Sequence, residues 1–533
     1  MPAFPARAGD PDAGNDRLVQ TGKDIFLRGI LGSGQPLVST RMDGMRVSGA
    51  DAACANCHQR SGLGEEEGNN YVPPITGRFL FHPRNAGKEY QDLPFVIGYR
   101  PDRDPYTGAT LARAIRNGLD ADGRPLNYLM PRFELGDADM SALIAYLNYL
   151  GDRNIPGVDS HVLQFATIVT PDADPAKKRG MLAVLNQFFL DKNAFERGPS
   201  QQLLSTHVVR FQVNRVWQLH VWQLSGPPDT WQTQLKADFE REPVFAVISG
   251  LGGKTWAPVQ KFCEAEEVPC LFPNIEVPPS DADKEFYTLY FSKGLLLEAG
   301  LIADGILAGN GKPPKMVDQI YRVGGDAEAA ARALANNLVG HRIRVINHPV
   351  AAGQSTERVT AAVRKAKGTG SLVLWLRPDD IAALQDVAPP AAPVYLSGTL
   401  GGLENAPLPE AWRPKTELAY PVALPEDRLI NLDFALGWFR IRQIPVVDLR
   451  VQADTYLACG LLSEIIMHMV NTFVPEYLVE RTQDMVEHRI ITGYYPHLSL
   501  SIGQRYASKG GYLVRFAGPT GARLAANPTW LVP

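Results

Sequence analysis

The chain has 533 residues, 45% hydrophobic and 21% charged, with 53 Lys and Arg set against 57 Asp and Glu. A formal charge of −4 at pH 7 lacks the basic excess of a nucleic-acid binder, and no apolar run reaches the roughly 20 residues that cross a bilayer. The length exceeds what one ordinary core supports, so about two to four compact units are expected.

In chain order, Met1 to Asp16 has neither the basic start nor the apolar stretch of an export signal, although Ala6-Arg7-Ala8 has the small-x-small form of a cleavage site. Residues 16–26 predict an amphipathic helix. Leu18, Gly22, Ile25 and Phe26 share one face, and Gly22 would admit a second helix closely.

Cys54-Ala55-Asn56-Cys57-His58 is the spacing of a c-type haem attachment site. Two thioether bonds would anchor the porphyrin edge, and one tight turn would carry His58 beneath the iron as proximal ligand. With five Cys and ten His in the chain, chance would give about 10⁻³ such motifs. A structural zinc site wants a second ligand pair, and no other C-x-x-C occurs. A thioredoxin-like pair would sit in a strand-to-helix turn, which the flanking sequence does not suggest.

Beyond His58, Gly62, Gly64, Gly68, Pro73, Pro74 and Gly77 predict irregular chain. Residues 110–117 predict a helix closed by Gly118 at its C-cap. A loop follows, with Met130 held before Pro131. Asp137 is then expected to cap a last helix over 139–150, stopped by Gly151.

The order of a GKDIF helix, CANCH, TLARAIRNG, MPRF and DADMSALIAYL resembles a class I cytochrome c domain. The resemblance implies an all-α domain over residues 15–153 with one covalently bound haem c. It also implies that Met130 is the sixth iron ligand, a thioether that raises the potential relative to bis-histidine ligation. His82 is the alternative ligand. Met42 and Met45 are near enough in sequence to reach the haem, while Met140 is expected in the core. Arg60 and Arg78 are candidate haem contacts. The stretches GEEEGNN and PRNAGKEYQDLP exceed what a small cytochrome needs, and could cover the haem edge or dock on a second domain. Haem c is attached outside the cytoplasm in bacteria, so the resemblance implies an exported, periplasmic protein.

Residues 151–159 are polar and turn-rich, as in a hinge. From His161 onward short apolar runs alternate with helical stretches. The runs are VLQFATIV, RVWQLHVWQL, PVFAVISG, PCLFP, MVDQIYRV, RIRVINHP, SLVLWLRP and PVYLSG. This alternation predicts parallel α/β sheets, two of them by count. Together with VFAVISGLGGKTWAPVQKFCEAEEVPCLFPN and YPHLSLSIGQRYASKGGYLVRF, the pattern resembles the type I periplasmic binding proteins. That likeness implies a two-lobed α/β domain over 158–533, with a small-molecule ligand held at the carboxyl ends of the strands. A dinucleotide site is excluded, because Gly250-Leu251-Gly252-Gly253 lacks the G-x-G-x-x-G spacing.

By position the cleft candidates are Ser249, Gly250 and Gly252, whose amides could meet a ligand carboxylate at a helix start near Thr255. Asn274 follows the next strand, and Arg377, Ser397 and Thr399 follow strands facing from the other side. Trp217, Trp222, Trp256 and Trp375 could be core or cleft. Cys263 and Cys270 are close enough in sequence for a disulfide in an oxidising compartment, with geometry deciding. Cys459 is expected as a buried thiol, and His468 as a satisfied core histidine. No nucleophile elbow, zincin or Walker motif occurs. The functions in view are electron transfer to a redox partner protein, solute reception, or service as the electron-accepting subunit of an oxidoreductase.

Overall fold

A computed structural model of the chain describes residues 11–67, 70–82, 103–196, 215–309, 313–366, 370–469, 472–517, 523–525 and 528–533. It divides into two compact units. Among the described residues, the first comprises those up to Pro156 together with Ile465–Arg481, and the second all the others. Residues 465–481 fall within the span that the sequence reading gave to the second domain.

In the first unit, α1 (Pro11–Arg28) leads to β1 (Val38–Thr40), β2 (Arg46–Ser48) and the single-turn α2 (Ala55–His58). Then come β3 (Glu65–Glu67), β4 (Asn70–Val72), α3 (Gly77–Leu80), α4 (Gly108–Asn117), β5 (Arg132–Phe133) and α5 (Asp137–Asp152). Ile25 and Phe26 of α1 are fully buried in one apolar cluster with Leu143, Tyr146 and Leu147 of α5. A Cβ on Gly22 would lie 2.1 Å from the Ala142 carbonyl oxygen, so only glycine lets these two helices cross so closely. Leu18 departs from the expected face: it is exposed, and Val19 packs on the cluster instead.

The helix ends show which sequence signals held. α4 closes as read, with Gly118 left-handed at φ 71° and its N–H on the Ala114 carbonyl. α5 does not: its N-cap is Gly136, and Asp137 pairs with Arg116 at 2.7 Å. It also runs through Gly151, where a Cβ would lie 2.8 Å from the Arg78 amide nitrogen. That glycine serves close approach, not termination.

The all-α expectation needs correction. The strands pair antiparallel in the order β2-β1-β5, and β3 pairs with β4, because the glycine-punctuated chain around α2 satisfies its backbone by pairing. The stretch PRNAGKEYQDLP lies outside the described residues.

The second unit follows the alternation read from sequence. It begins with β6 (Val162–Val169), α6 (Pro175–Glu196), β7 (Val216–Gln223), α7 (Trp231–Arg241), β8 (Ala246–Ile248), α8 (Ala257–Ala265), β9 (Cys270–Leu271) and β10 (Thr288–Ser292). α9 (Leu295–Ala308), β11 (Met316–Arg322), α10 (Asp326–Asn337), β12 (Arg344–Val350), α11 (Thr356–Lys365), β13 (Ser371–Trp375), α12 (Pro378–Ala382), β14 (Val394–Ser397), α13 (Gly398–Gly401) and β15 (Thr416–Tyr420) continue it. α14 (Pro425–Ile441), α15 (Leu449–Met469), whose last turn belongs to the first unit, α16 (Pro475–Met485), most of which also belongs to the first unit, β16 (Tyr506–Ser508), β17 (Gly511–Ala517), β18 (Arg523–Leu524) and β19 (Trp530–Leu531) complete the chain order.

One parallel sheet has the order β16-β10-β9-β8-β6-β7. The other runs β12-β11-β13-β14-β15, all parallel, with β17 antiparallel on its edge. Strands covered on both faces read as continuous apolar runs, and every residue of β8, β13 and β14 is buried. Trp217, Trp222, Trp256 and Trp375 all lie in the core.

Both sheets reverse their strand order next to their first strand, between β6 and β8 and between β11 and β13. In open α/β sheets such reversals leave a crevice at the carboxyl ends.

Candidate functional site

Two constellations stand out, one in each unit. In the first, α2 carries Cys54, Cys57 and His58 within a single turn. The turn ends at Gln59, at φ 60°. Gly64 then passes so close to the returning chain that a Cβ there would lie 2.1 Å from the Val72 carbonyl oxygen. This close pass brings the Pro73 carbonyl to 2.9 Å from His58 Nδ1. A carbonyl only accepts, so Nδ1 holds the proton and Nε2 is left with a free lone pair. Burial pushes the His58 imidazole down to about 4, which keeps the ring neutral. Burial likewise pushes the Cys54 thiol up to about 12, and raises Cys57 with help from Glu65.

Met130 sits in a turn. Its N–H reaches the Asn127 carbonyl at 3.0 Å, and Asn127 Oδ1 accepts from Leu129 N at 2.9 Å. The Arg132 guanidinium donates to the Met130 carbonyl and lies over Gly118, where a Cβ would collide with it at 1.8 Å. β5 then binds the chain to β1, with Ser39 opposite Phe133. Met130 and Cys54 are both partly buried against the same apolar cluster. Met42, Met45, Tyr128 and Leu129 are exposed apolar side chains on the segments flanking β1 and β5, surface of the kind that a flat hydrophobic group covers. His82 is exposed and Met140 is in the core. The residues present therefore fit a covalently held porphyrin: two thiols, one imidazole with its far nitrogen free, and a thioether on the same cluster.

Sequence reasoning gave no sign that Glu480 and Glu476, more than 300 residues away, belong to this unit. Glu480 accepts the Ser61 amide at 2.9 Å, and Glu476 pairs with Arg153 in a nearly fully buried salt bridge. Burial pushes Glu480 up to about 8.

In the second unit a cavity of about 620 Å³ opens at the crevice. Gly252, Asn274, Arg377 and Thr399 line it, as their strand-end positions suggested. Ser249, Gly250 and Ser397 lie beneath it. The Ser249 hydroxyl is 3.1 Å from Thr455 Oγ1 and accepts from Asn274 Nδ2 at 2.8 Å. A Cβ on Gly250 would press 2.8 Å from the Trp256 ring. Ser397 caps α13 and donates to Glu298.

The glycine loop is not an open anion site, which corrects the expectation for its amides. The N–H groups of Gly252, Gly253 and Lys254 go to the Asn274 carbonyl (3.1 Å), Thr170 Oγ1 (2.9 Å) and Asp172 Oδ2 (2.8 Å). Of the amides expected to meet a ligand, Ser249 goes to the Leu271 carbonyl (2.9 Å) and Gly252 to that of Asn274, while the Asp172 carboxylate takes the neighbouring Lys254.

Charged residues that the sequence reading missed carry the cavity's chemistry. Arg450 Nη1 lies 3.1 Å from Glu276 Oε2, and Lys177 Nζ 3.5 Å from Glu276 Oε1. Burial raises the Glu276 carboxyl, but these two cations outweigh it and hold the group below its usual range. Asp454 accepts from Tyr495 OH at 3.0 Å, while its Oδ1 is buried without a hydrogen-bond partner among the described residues. Burial pushes Asp454 up to about 7 against the pull of Arg450. Arg377 lies 3.6 Å from Asp326. In all, Asp172, Asp174, Glu276, Asp326 and Asp454 face Lys177, Lys254, Arg322, Arg377 and Arg450, a balanced set.

The other polar expectations divide. Cys263 and Cys270 touch as buried free thiols, and Cys459 is a buried thiol as expected. His468 is exposed and so is not a core histidine. Among the described residues no helix is long and apolar enough to cross a membrane.

Comparison with known proteins separates the two units. Residues 43–151 match the family model of cytochrome c. No curated protein matches the chain significantly. Among solved structures, a leucine binding protein from Thermotoga maritima is 12% identical, covering 70% of this chain and 99% of its own, with a TM-score of 0.47. A fatty acid transporter substrate-binding protein from Thermomonospora curvata is 13% identical, covering 72% and 95%, at 0.49. A branched-chain amino acid transporter substrate binding protein from Streptococcus pneumoniae, in complex with isoleucine, is 10% identical, covering 70% and 100%, at 0.46. Residues 43–151 thus match the cytochrome c family, and they are carried in one chain with a second, α/β unit.

Proposed function

We propose that this protein is a periplasmic electron carrier with one haem c, coupled in a single chain to a two-lobed receptor for a small organic molecule. Its domains are residues 15–153, to which 465–481 are added, and the remainder of 158–533. Cys54 and Cys57 hold the haem covalently, and His58 and Met130 are the axial ligands. Bound there, the group supplies a one-electron couple. The observation that carries this reading is the His58 Nδ1–Pro73 hydrogen bond, which leaves Nε2 without a proton, on a motif whose Cys54 packs on the same apolar cluster as Met130. Pro73 fixes the imidazole ring, while Asn127 and Arg132 hold the Met130 turn. Two protein ligands leave no position for a substrate, so the role is electron transfer to a partner such as another cytochrome or a dehydrogenase. The second domain holds its ligand through Asn274, Thr399, Arg377, Arg450 and Asp454. The balanced lining suits a ligand carrying both signs of charge, amino acid-like, better than a net anion.

The test is haem stoichiometry after extraction under acid solvent. One haem per chain is expected to stay with the protein, and Cys54→Ser with Cys57→Ser to release it. Two haems per chain, or retention by the double variant, would overturn the assignment. Calorimetry with amino acids and dicarboxylates tests the receptor. Binding that survives Arg450→Met and Asp454→Asn would place the ligand elsewhere.

A further inference from the structure

The helix α14 is apolar on two opposite faces. Its inner face, with Leu432, Ala435 and Phe439, is buried in the second unit. At about 100° per residue, Ile430, Phe434, Gly437 and Ile441 form a second stripe on the far side. Ile430 is 72% exposed, Phe434 64%, Ile441 76%, and the neighbouring Leu429 68%. A helix apolar all round is normally covered on every side, so this stripe lacks its partner.

We infer that α14 pairs antiparallel with α14 of a second copy of this chain across a two-fold axis. The spacing is self-complementary. Phe434 follows Ile430 by four positions and Ile441 follows Gly437 by four, so an axis between Phe434 and Gly437 seats each Phe434 on the second copy's Gly437. It also sets each Ile430 against the second copy's Ile441. A Cβ built on Gly437 meets nothing within 4 Å, so a hollow is open to receive the ring. Charge selects the same arrangement. Glu426, Asp433 and Arg440, seven residues apart, run along one edge of the stripe, acidic toward the N-terminus and basic toward the C-terminus. Antiparallel pairing lays Arg440 beside the second copy's Asp433 twice over, whereas parallel pairing would turn this charged edge toward the opposite edge of the second helix. Asp433 has no ion pair or hydrogen bond among the described residues, and Arg440 bonds only its own helix, at the Leu436 carbonyl (3.4 Å). Opposed helix dipoles add to the preference. A symmetric contact of this kind closes on itself and stops at two copies.

Sedimentation of the full holoprotein from low to high micromolar concentration tests this. A dimer is expected. Phe434→Glu should weaken it by about 30-fold or more, as loss of a central aromatic anchor does, with a melting curve that matches the wild type at concentrations where both are monomeric, because the side chain is exposed in the single chain. Asp433→Arg and Arg440→Asp should each weaken the dimer, and together restore it. A wild type that is monomeric throughout, a dimer indifferent to Phe434→Glu, or a Phe434-dependent binding of lipid vesicles by the monomer would overturn the inference.

Discussion

Glu298 gives the sharpest test of how burial sets charge beside the cavity. It is fully buried on α9, where it accepts from the Ser397 hydroxyl and from the Thr399 amide at 2.7 Å. Burial pushes its carboxyl from 4.5 up to about 7, with those two hydrogen bonds opposing the rise. The folded state therefore holds a proton that the unfolded chain has released between those two values. Stability is greatest below about 4.5, falls as pH rises through the window, and levels off above about 7. At about 1.4 kcal/mol per pH step, the ionised carboxylate costs about 3 kcal/mol at pH 8 and under about 1 kcal/mol at pH 5. Glu298→Gln keeps the shape and an acceptor for Thr399, and Ser397 can turn its hydroxyl to accept from the new amide. The variant should be less stable than or close to the wild type at pH 5 and more stable by about 2 kcal/mol or more at pH 8. Urea titration followed by tryptophan fluorescence reads this unit alone, because all eight Trp lie within it. Parallel pH profiles for the two proteins would refute the reasoning.

Other substitutions probe the packing around each site. Gly22→Ala drives a methyl into the Ala142 backbone and should destabilise the haem unit by about 2 kcal/mol or more. Gly108→Ala, with open space around the added methyl, should be neutral or stabilising by up to about 1 kcal/mol; melting followed at the haem absorption separates them. Asn274→Ala removes the donor to the Ser249 hydroxyl and the Gly250 carbonyl, and should cost about 1–3 kcal/mol in urea titration of the second unit.

Much of this was legible in the sequence because it is local. The C-x-x-C-H spacing fits one helical turn, the Gly118 cap acts on the helix it closes, and parallel strands buried on both faces announce themselves as apolar runs. The cavity is different. Arg450 and Asp454 come from a helix whose sequence reads as apolar, Glu276 follows β9, and Tyr495 precedes β16; only the folded chain brings them together. Strand-end position found Gly252, Asn274, Arg377 and Thr399, but could not tell them from Ser249, Gly250 and Ser397, which the same loops turn inward. Nor could it show that Thr170 and Asp172 fill the glycine-loop amides, since that depends on where β6 ends beside β8. Glycine was ambiguous for a physical reason. At Gly118 it supplies a left-handed cap, while at Gly22 and Gly151 it supplies room for a neighbour, and one letter encodes both.

The identity of the sixth ligand decides whether the haem is built for electron exchange. Equilibrium redox titration of the holoprotein, beside Met130→Ala and His82→Ala, measures it directly. A thioether raises the potential, and axial ligands together span roughly 0.8 V. Met130→Ala should therefore lower the midpoint by on the order of 100 mV and change the spectra of both oxidation states, while His82→Ala leaves both unchanged. A midpoint that ignores Met130→Ala and moves with His82→Ala would contradict the account.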